Sequence, residues 1–298
     1  MSIQSWAAKA RSSKEHQSPE SRELIGVFQK LLMNEVTPEE TAQGIAAITE
    51  PLIRANPSST RIGSVWDVLC DAVRDLGGDL QISKDLVNLV LALKNIEVKD
   101  DHGNVIKHGP SEYWSHLPMF ALTFREYGIG TVLHRSVIHI SGIWLLIHRA
   151  DIEPEEGLEA SEWLSQKTKF LNATMFAATA FTRSTSLSGM SFYVPVCMRE
   201  ALKGPYETSN PLDYAAMYVP AACAWISISG PKIYEYCGGE MATGFTLDTW
   251  DNWKTGFGKV LADSQFDDEL RAAARMAQTT MGTIEVNSQL SNTSDYQG

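Results

Sequence analysis

Apolar residues in the first third of the chain recur at helical spacing, and turn-forming residues punctuate them. Leu24, Val27, Phe28, Leu31 and Leu32 share one side of a 3.6-residue period, and Ala42, Ile45, Ile48 and Leu52 repeat it before Asn56-Pro57. Val65, Trp66, Leu69, Val73 and Leu76 make a third stripe, closed by Gly77-Gly78, and Leu86, Leu89, Val90 and Leu93 make a fourth. Ser18-Pro19, Thr37-Pro38 and Asn210-Pro211 each set a capping side chain before a proline whose missing N–H is harmless at a helix start. Thr37 followed by Glu40 is also a capping box.

Beyond the charged loop 98–110 the pattern predicts a helix from Ser111 to Tyr127, with Pro118 tolerated in its first turns or marking a kink. Further helices are expected over 155–184, 191–203, 211–229 (a pair broken at Pro220), 247–263 and 267–282. The N-terminus lacks the apolar core of a secretory signal and suggests a frayed surface helix. No convincing alternation of apolar and polar residues signals a strand. The fold class is therefore all-α: an irregular bundle or stack of about ten antiparallel helices without significant sheet. A single domain is expected over 1–283, with a disordered polar tail over 284–298.

The most apolar segment, 130–149, carries His134, Arg135, His139, His148 and Arg149. Its longest run free of charge and histidine, Ile140 to Ile147, falls far below the roughly 20 residues a bilayer needs, so no membrane span is expected. Read as an inner helix at about 100° per residue, its histidines face three ways, which disfavours metal ligation by this set. One histidine facing a cavity would still be a natural proton donor or acceptor.

Twenty-five basic against thirty-six acidic residues give a formal charge of −11, which opposes a nucleic-acid partner. Four separated cysteines without zinc spacing read as core residues of a reducing compartment, hence a cytoplasmic protein. The common nucleotide, zinc-protease and hydrolase signatures are missing. The nearest approach to the paired magnesium clusters of class I terpene cyclases is Asp67, Asp71 and Asp75, which lack a partner cluster and read as a solvated helix face. No metal site and no cofactor are expected.

Tyr113 to Tyr127 (YWSHLPMFALTFREY), Phe170 to Ala178 (FLNATMFAA), Met198 to Leu202 (MREAL) and Val219 to Ile226 (VPAACAWI) resemble a family of filamentous-fungal helical proteins whose domain has no assigned function. The resemblance covers about residues 110–240 and implies a helical fold and a fungal intracellular origin. An arginine commonly follows the Phe-Ala-Ala segment in that family; Thr179 stands here, so no role carries over from it.

The same segments set polar groups inside apolar helices, and Arg125, Glu126, Asn172, Arg199 and Glu200 can form an internal network. Such a network either fixes helix packing or lines a ligand pocket. The pocket reading takes His139, Arg125 and Asn172 as catalytic candidates and Tyr127, Trp144, Phe176, Tyr218 and Trp225 as substrate-binding aromatics. It gives a cofactor-independent cyclase or isomerase, pericyclic closure included, acting on a hydrophobic polyene or terpenoid of fungal specialised metabolism. The alternative is a non-catalytic helical binding protein. An enclosed cavity lined by aromatics with one or two convergent polar groups would favour the first, and a filled core with an exposed apolar groove the second.

Overall fold

The computed structural model describes residues 1–129, 135–140, 143–148, 160–202, 211–239 and 245–294. Among them are eleven α-helices and two short antiparallel strand pairs. The chain divides into two compact units, Met1–His134 with Thr168–Phe176, and Arg135–Lys167 with Ala177–Gly298.

Unit 1 contains α1 (Ile3–Ser12), α2 (Pro19–Leu32), α3 (Pro38–Ala55), α4 (Gly63–Leu76) and α5 (Leu80–Leu93). The proline-marked starts behave as their chemistry requires. Ser18 Oγ accepts from the Ser21 amide at 3.0 Å, and Thr37 and Glu40 exchange both bonds of the capping box at 3.1 and 2.8 Å. The first helix departs from expectation. It does not fray on the surface: Ser2 caps it, and Trp6, Ala7 and Ala10 are buried against its neighbours. Full burial of an indole stabilises by about 1.5–3 kcal/mol, enough to hold a ten-residue helix that would be marginal alone.

The helix expected over 111–127 is also revised. Ser111–Glu112 (β2) pairs with Lys107–His108 (β1), a 3₁₀ turn covers Trp114–His116, and α6 (Phe120–Thr123) runs into a π-helical segment, Phe124–Ile129. The chain turns at Pro118: Leu117 and Met119 on either side adopt left-handed φ values of 45° and 65°, which no right-handed helix accommodates. Buried aromatics hold this turn in place. Trp66 Nε1–H donates to the Pro118 carbonyl at 2.5 Å, and the Trp66 ring meets Trp114 edge-on at 6.0 Å and Phe120 at 5.1 Å.

Unit 2 holds a hairpin of β3 (Arg135–Ile140) and β4 (Ile143–His148), and the helices α8 (Tyr193–Leu202), α9 (Pro211–Gly238), α10 (Leu247–Ala262) and α11 (Asp268–Ser294). The hairpin replaces the inner helix expected for this stretch. Its register pairs Ile140 with Ile143, and the Ser-Gly that separates them in the sequence is a turn signal that the apolar content of the segment masked. α9 runs unbroken through Pro220 and Pro231. Its fully buried Ala215, Tyr218, Val219, Ala222, Trp225 and Ile226 supply packing that outweighs a lost backbone bond at each proline.

α7 (Ala160–Arg183) contributes to both units. The polar segment after residue 283 does not end α11, which continues to Ser294. There Glu285 accepts from Trp250 Nε1–H at 2.8 Å and from Lys254 Nζ at 2.5 Å, giving a nominal tail residue a structural role. All four cysteines are buried with free thiols. Among the described residues no helix is long and apolar enough to cross a membrane.

Candidate binding cleft

Asp67, Asp71 and Asp75 recur every four residues and so share one face of α4. Read from sequence this face is solvated, yet α1 and the turn Lys14–His16 pack over it, because burying Trp6 brings Lys9 and His16 along. Lys9 Nζ pairs with Asp75 Oδ2 at 2.8 Å, and His16, only 1% exposed, bonds through Nε2 to Asp71 Oδ2 at 2.7 Å. The bond to Asp71 raises the His16 pKa above its ordinary value, against the opposing pull of burial. Burial raises the Asp67 carboxyl, with the nearby His16 charge opposing.

Glu15, His16 and Asp71 present ligand atoms within 4.8 Å of one another. A metal held there would have to displace the 2.7 Å bond between His16 and Asp71, and the hydrogen-bonded pair accounts for the cluster without one.

Two clefts flank this pair. The first, about 410 Å³, is walled by Glu15, Asp67, Arg61, Leu52, Met119 and Thr123 among others, and Arg61 already pairs with Glu20 at 2.9 Å. The second, about 280 Å³, lies where α1, α4 and the unit 1 part of α7 meet. Lys9 and Trp6 from α1, Asp71, Arg74 and Asp75 from α4, and Lys169 from α7 line it.

In this second cleft the carboxylates of Asp71 and Asp75 are engaged by His16 and Lys9, whereas the cations of Arg74 and Lys169 have no ion pair among the described residues. Arg74 Nε and Trp6 Nε1 are buried without a hydrogen-bond acceptor. Burial, and then the charges of Arg74 and Lys9, hold the Lys169 ammonium below its ordinary pKa. Trp114 and Trp225 also have buried indole N–H groups without acceptors, but neither residue lines either cleft.

Asn172, a catalytic candidate from sequence, stands one turn along α7 from Lys169 and has a packing role. Its Nδ2 donates to the Arg74 carbonyl at 2.7 Å, and its Oδ1 lies so close to Gly78 that a Cβ there would sit 2.5 Å away. Gly77-Gly78 thus ends α4 and admits α7 to the cleft wall. Arg125, in the π-helical segment, pairs with its neighbour Glu126 at 3.0 Å, both partly exposed. Phe176 is buried in unit 1, its ring 5.3 Å from Phe124.

Tyr218 and Trp225 belong to unit 2, where they pack on Tyr214 at 4.7 Å and on Phe181 at 6.3 Å. His139 and Trp144 are cross-strand partners in the hairpin. Their side chains, and that of Tyr127, lie outside the described residues. The proposed polar network resolves into local pieces: Arg125 with Glu126 and Asn172 with Arg74 in unit 1, Glu200 with Arg199 and Tyr214 in unit 2.

A family model described as "Protein of unknown function (DUF3632)" matches residues 66–257, about two thirds of the chain. The chain belongs to this family. The match takes in Asp71, Arg74, Lys169 and Asn172 but stops short of α1, so Trp6 and Lys9 lie outside it. No curated protein and no solved structure matches the chain.

Sequence reading missed Trp6, Lys9, His16, Arg74 and Lys169. The available signal was Trp6, Lys9, Ala10 and Ser13 at i, i+3, i+4 and i+7, one helical face joining an indole to a cation.

Proposed function

We propose that this protein is a helical binding protein that holds a small charged metabolite in the second cleft of unit 1. One observation carries the reading: Arg74, Lys169 and Trp6 line one cleft, the two cations without an ion pair and the buried Trp6 indole N–H without an acceptor among the described residues. Buried donors and cations are normally paired, and a ligand supplies what the fold withholds. The cyclase reading calls for an aromatic-walled hollow. Phe176, Tyr218 and Trp225 pack against Phe124, Tyr214 and Phe181 instead, which favours binding over ring closure. The fungal, cytoplasmic setting implied by the resemblance is part of the same proposal.

The test is a thermal-shift panel on the full chain with anionic, zwitterionic, cationic and apolar polyene or terpenoid compounds. Stabilisation by a charged class, lost in Arg74→Gln, is the expected result. Stabilisation by the polyenes or terpenoids alone would replace this reading with the cyclase.

A further inference from the structure

We propose that the second cleft selects an oxyanion, a carboxylate or phosphate group, held by the Arg74 guanidinium, the Lys169 ammonium and the Trp6 indole N–H. The inference rests on the binding reading above and adds the sign and geometry of the ligand. Asp71 and Asp75 are engaged by His16 and Lys9, so of the charges lining the cleft Arg74 and Lys169 remain to be met, against Glu15 alone. The lining is formally balanced, Lys9, Arg74 and Lys169 against Glu15, Asp71 and Asp75, but the two cations without an ion pair sit inside a chain of formal charge −11. That overall field repels long polyanions and leaves room for a small one.

Each element supplies one donor. Trp6 is wholly buried, and an indole N–H donates only; Arg74 offers a planar fork suited to two oxygens of one group; Lys169 is a point charge from the facing helix. Burial and the neighbouring cations hold the Lys169 pKa down, and an anion would offset the repulsion from those cations. The bond from Asn172 to the Arg74 carbonyl ties the α7 and α4 walls together. It makes Asn172 a positioning residue for the two cations.

The experiment is a titration of the full-length ¹⁵N-labelled protein with inorganic phosphate, acetate and, as a cationic control, putrescine, following the Trp6 indole resonance assigned through Trp6→Phe. Phosphate or acetate is expected to move that resonance, and Arg74→Gln and Lys169→Gln are each expected to weaken the effective anion at least tenfold with unchanged circular dichroism. Which anion binds more tightly identifies the group as phosphate or carboxylate. Two variants guard against one misfolding. Neither anion moving the resonance, or binding indifferent to both substitutions, overturns the oxyanion site. A shift with putrescine alone overturns it while leaving a charged-ligand cleft intact, whereas no response to any of the three, together with a flat thermal-shift panel, removes both readings.

Discussion

Two polar clusters, one in each unit, are built differently. In unit 2 the buried carboxylates and the Ser229 hydroxyl answer their neighbours, although the Trp163 and Trp225 indole N–H groups and Arg271 Nε lack acceptors among the described residues. Glu200 accepts from Tyr214 and Arg199, Ser229 donates to the Ala178 carbonyl at 2.8 Å while accepting from Thr182, and Glu285 serves both Trp250 and Lys254. In the second cleft of unit 1 the Asp71 and Asp75 carboxylates are engaged but Arg74, Lys169 and the Trp6 N–H are not. Closed networks add stability and fix packing; donors left open at a cleft cost stability unless something else meets them. On the proposed reading, the contrast separates a structural polar cluster from a ligand-binding one.

Substitutions should divide along that line. Glu200→Ala leaves the Tyr214 hydroxyl and Arg199 without their acceptor and should cost about 2–3 kcal/mol in a urea melt; a loss below about 0.5 kcal/mol would mean that the unit 2 network contributes little. Asn172→Ala removes the bond to the Arg74 carbonyl and should cost about 1–3 kcal/mol. It should also weaken ligand binding, since it loosens the wall that carries both cations.

His16→Gln should act in a pH-dependent way. The folded pKa of His16 is raised, so its pair with Asp71 stabilises fully below the unfolded value of about 6.5 and fades as pH rises through the folded one. Parallel thermal melts of wild type and variant should therefore differ most in mildly acidic buffer and converge towards alkaline pH; a constant gap would mean that the ring is neutral throughout. The smallest effect belongs to Lys169→Met. With no ion pair to lose, and the repulsion of Arg74 and Lys9 opposed by the attraction of Asp75 and Asp71, stability should stay within about 0.5 kcal/mol. A clear loss would reveal an intramolecular partner and erase the contrast between the units.

The parts of the fold legible in sequence are those governed by neighbours in the chain. The capping residues Ser18 and Thr37, the stripe of α4 and the diglycine after it are local chemistry, and they appear where expected. What escaped depends on distant partners. Pro118 was compatible with a helix until Trp66 claimed its carbonyl, and residues 135–148 were apolar enough for an inner helix although the Ser-Gly within that sequence is a turn signal. α9 outlasts Pro220 because packing outweighs one missing bond.

The site was legible only in fragments. Asp67, Asp71 and Asp75 stood out at once, but their meaning changed when α1 covered them. Asn172 drew notice as a buried amide, and it is buried; its partner is a backbone carbonyl rather than a substrate. No periodicity could announce that Lys169 and Arg74, 95 positions apart, would face one hollow.

The sulfur chemistry of the chain follows from its packing. Burial pushes the thiols of Cys223 and Cys237 up to about 12 and about 11, and raises Cys70 and Cys197 as well, so almost none of the reactive anion forms at neutral pH. The folded molecule is thereby shielded from oxidants and alkylating reagents, while an opened one offers as many as four targets. Iodoacetamide labelling read by mass would thus time spontaneous opening without any engineered probe, with Cys70 keeping the record for one unit and the other three for its neighbour in the chain.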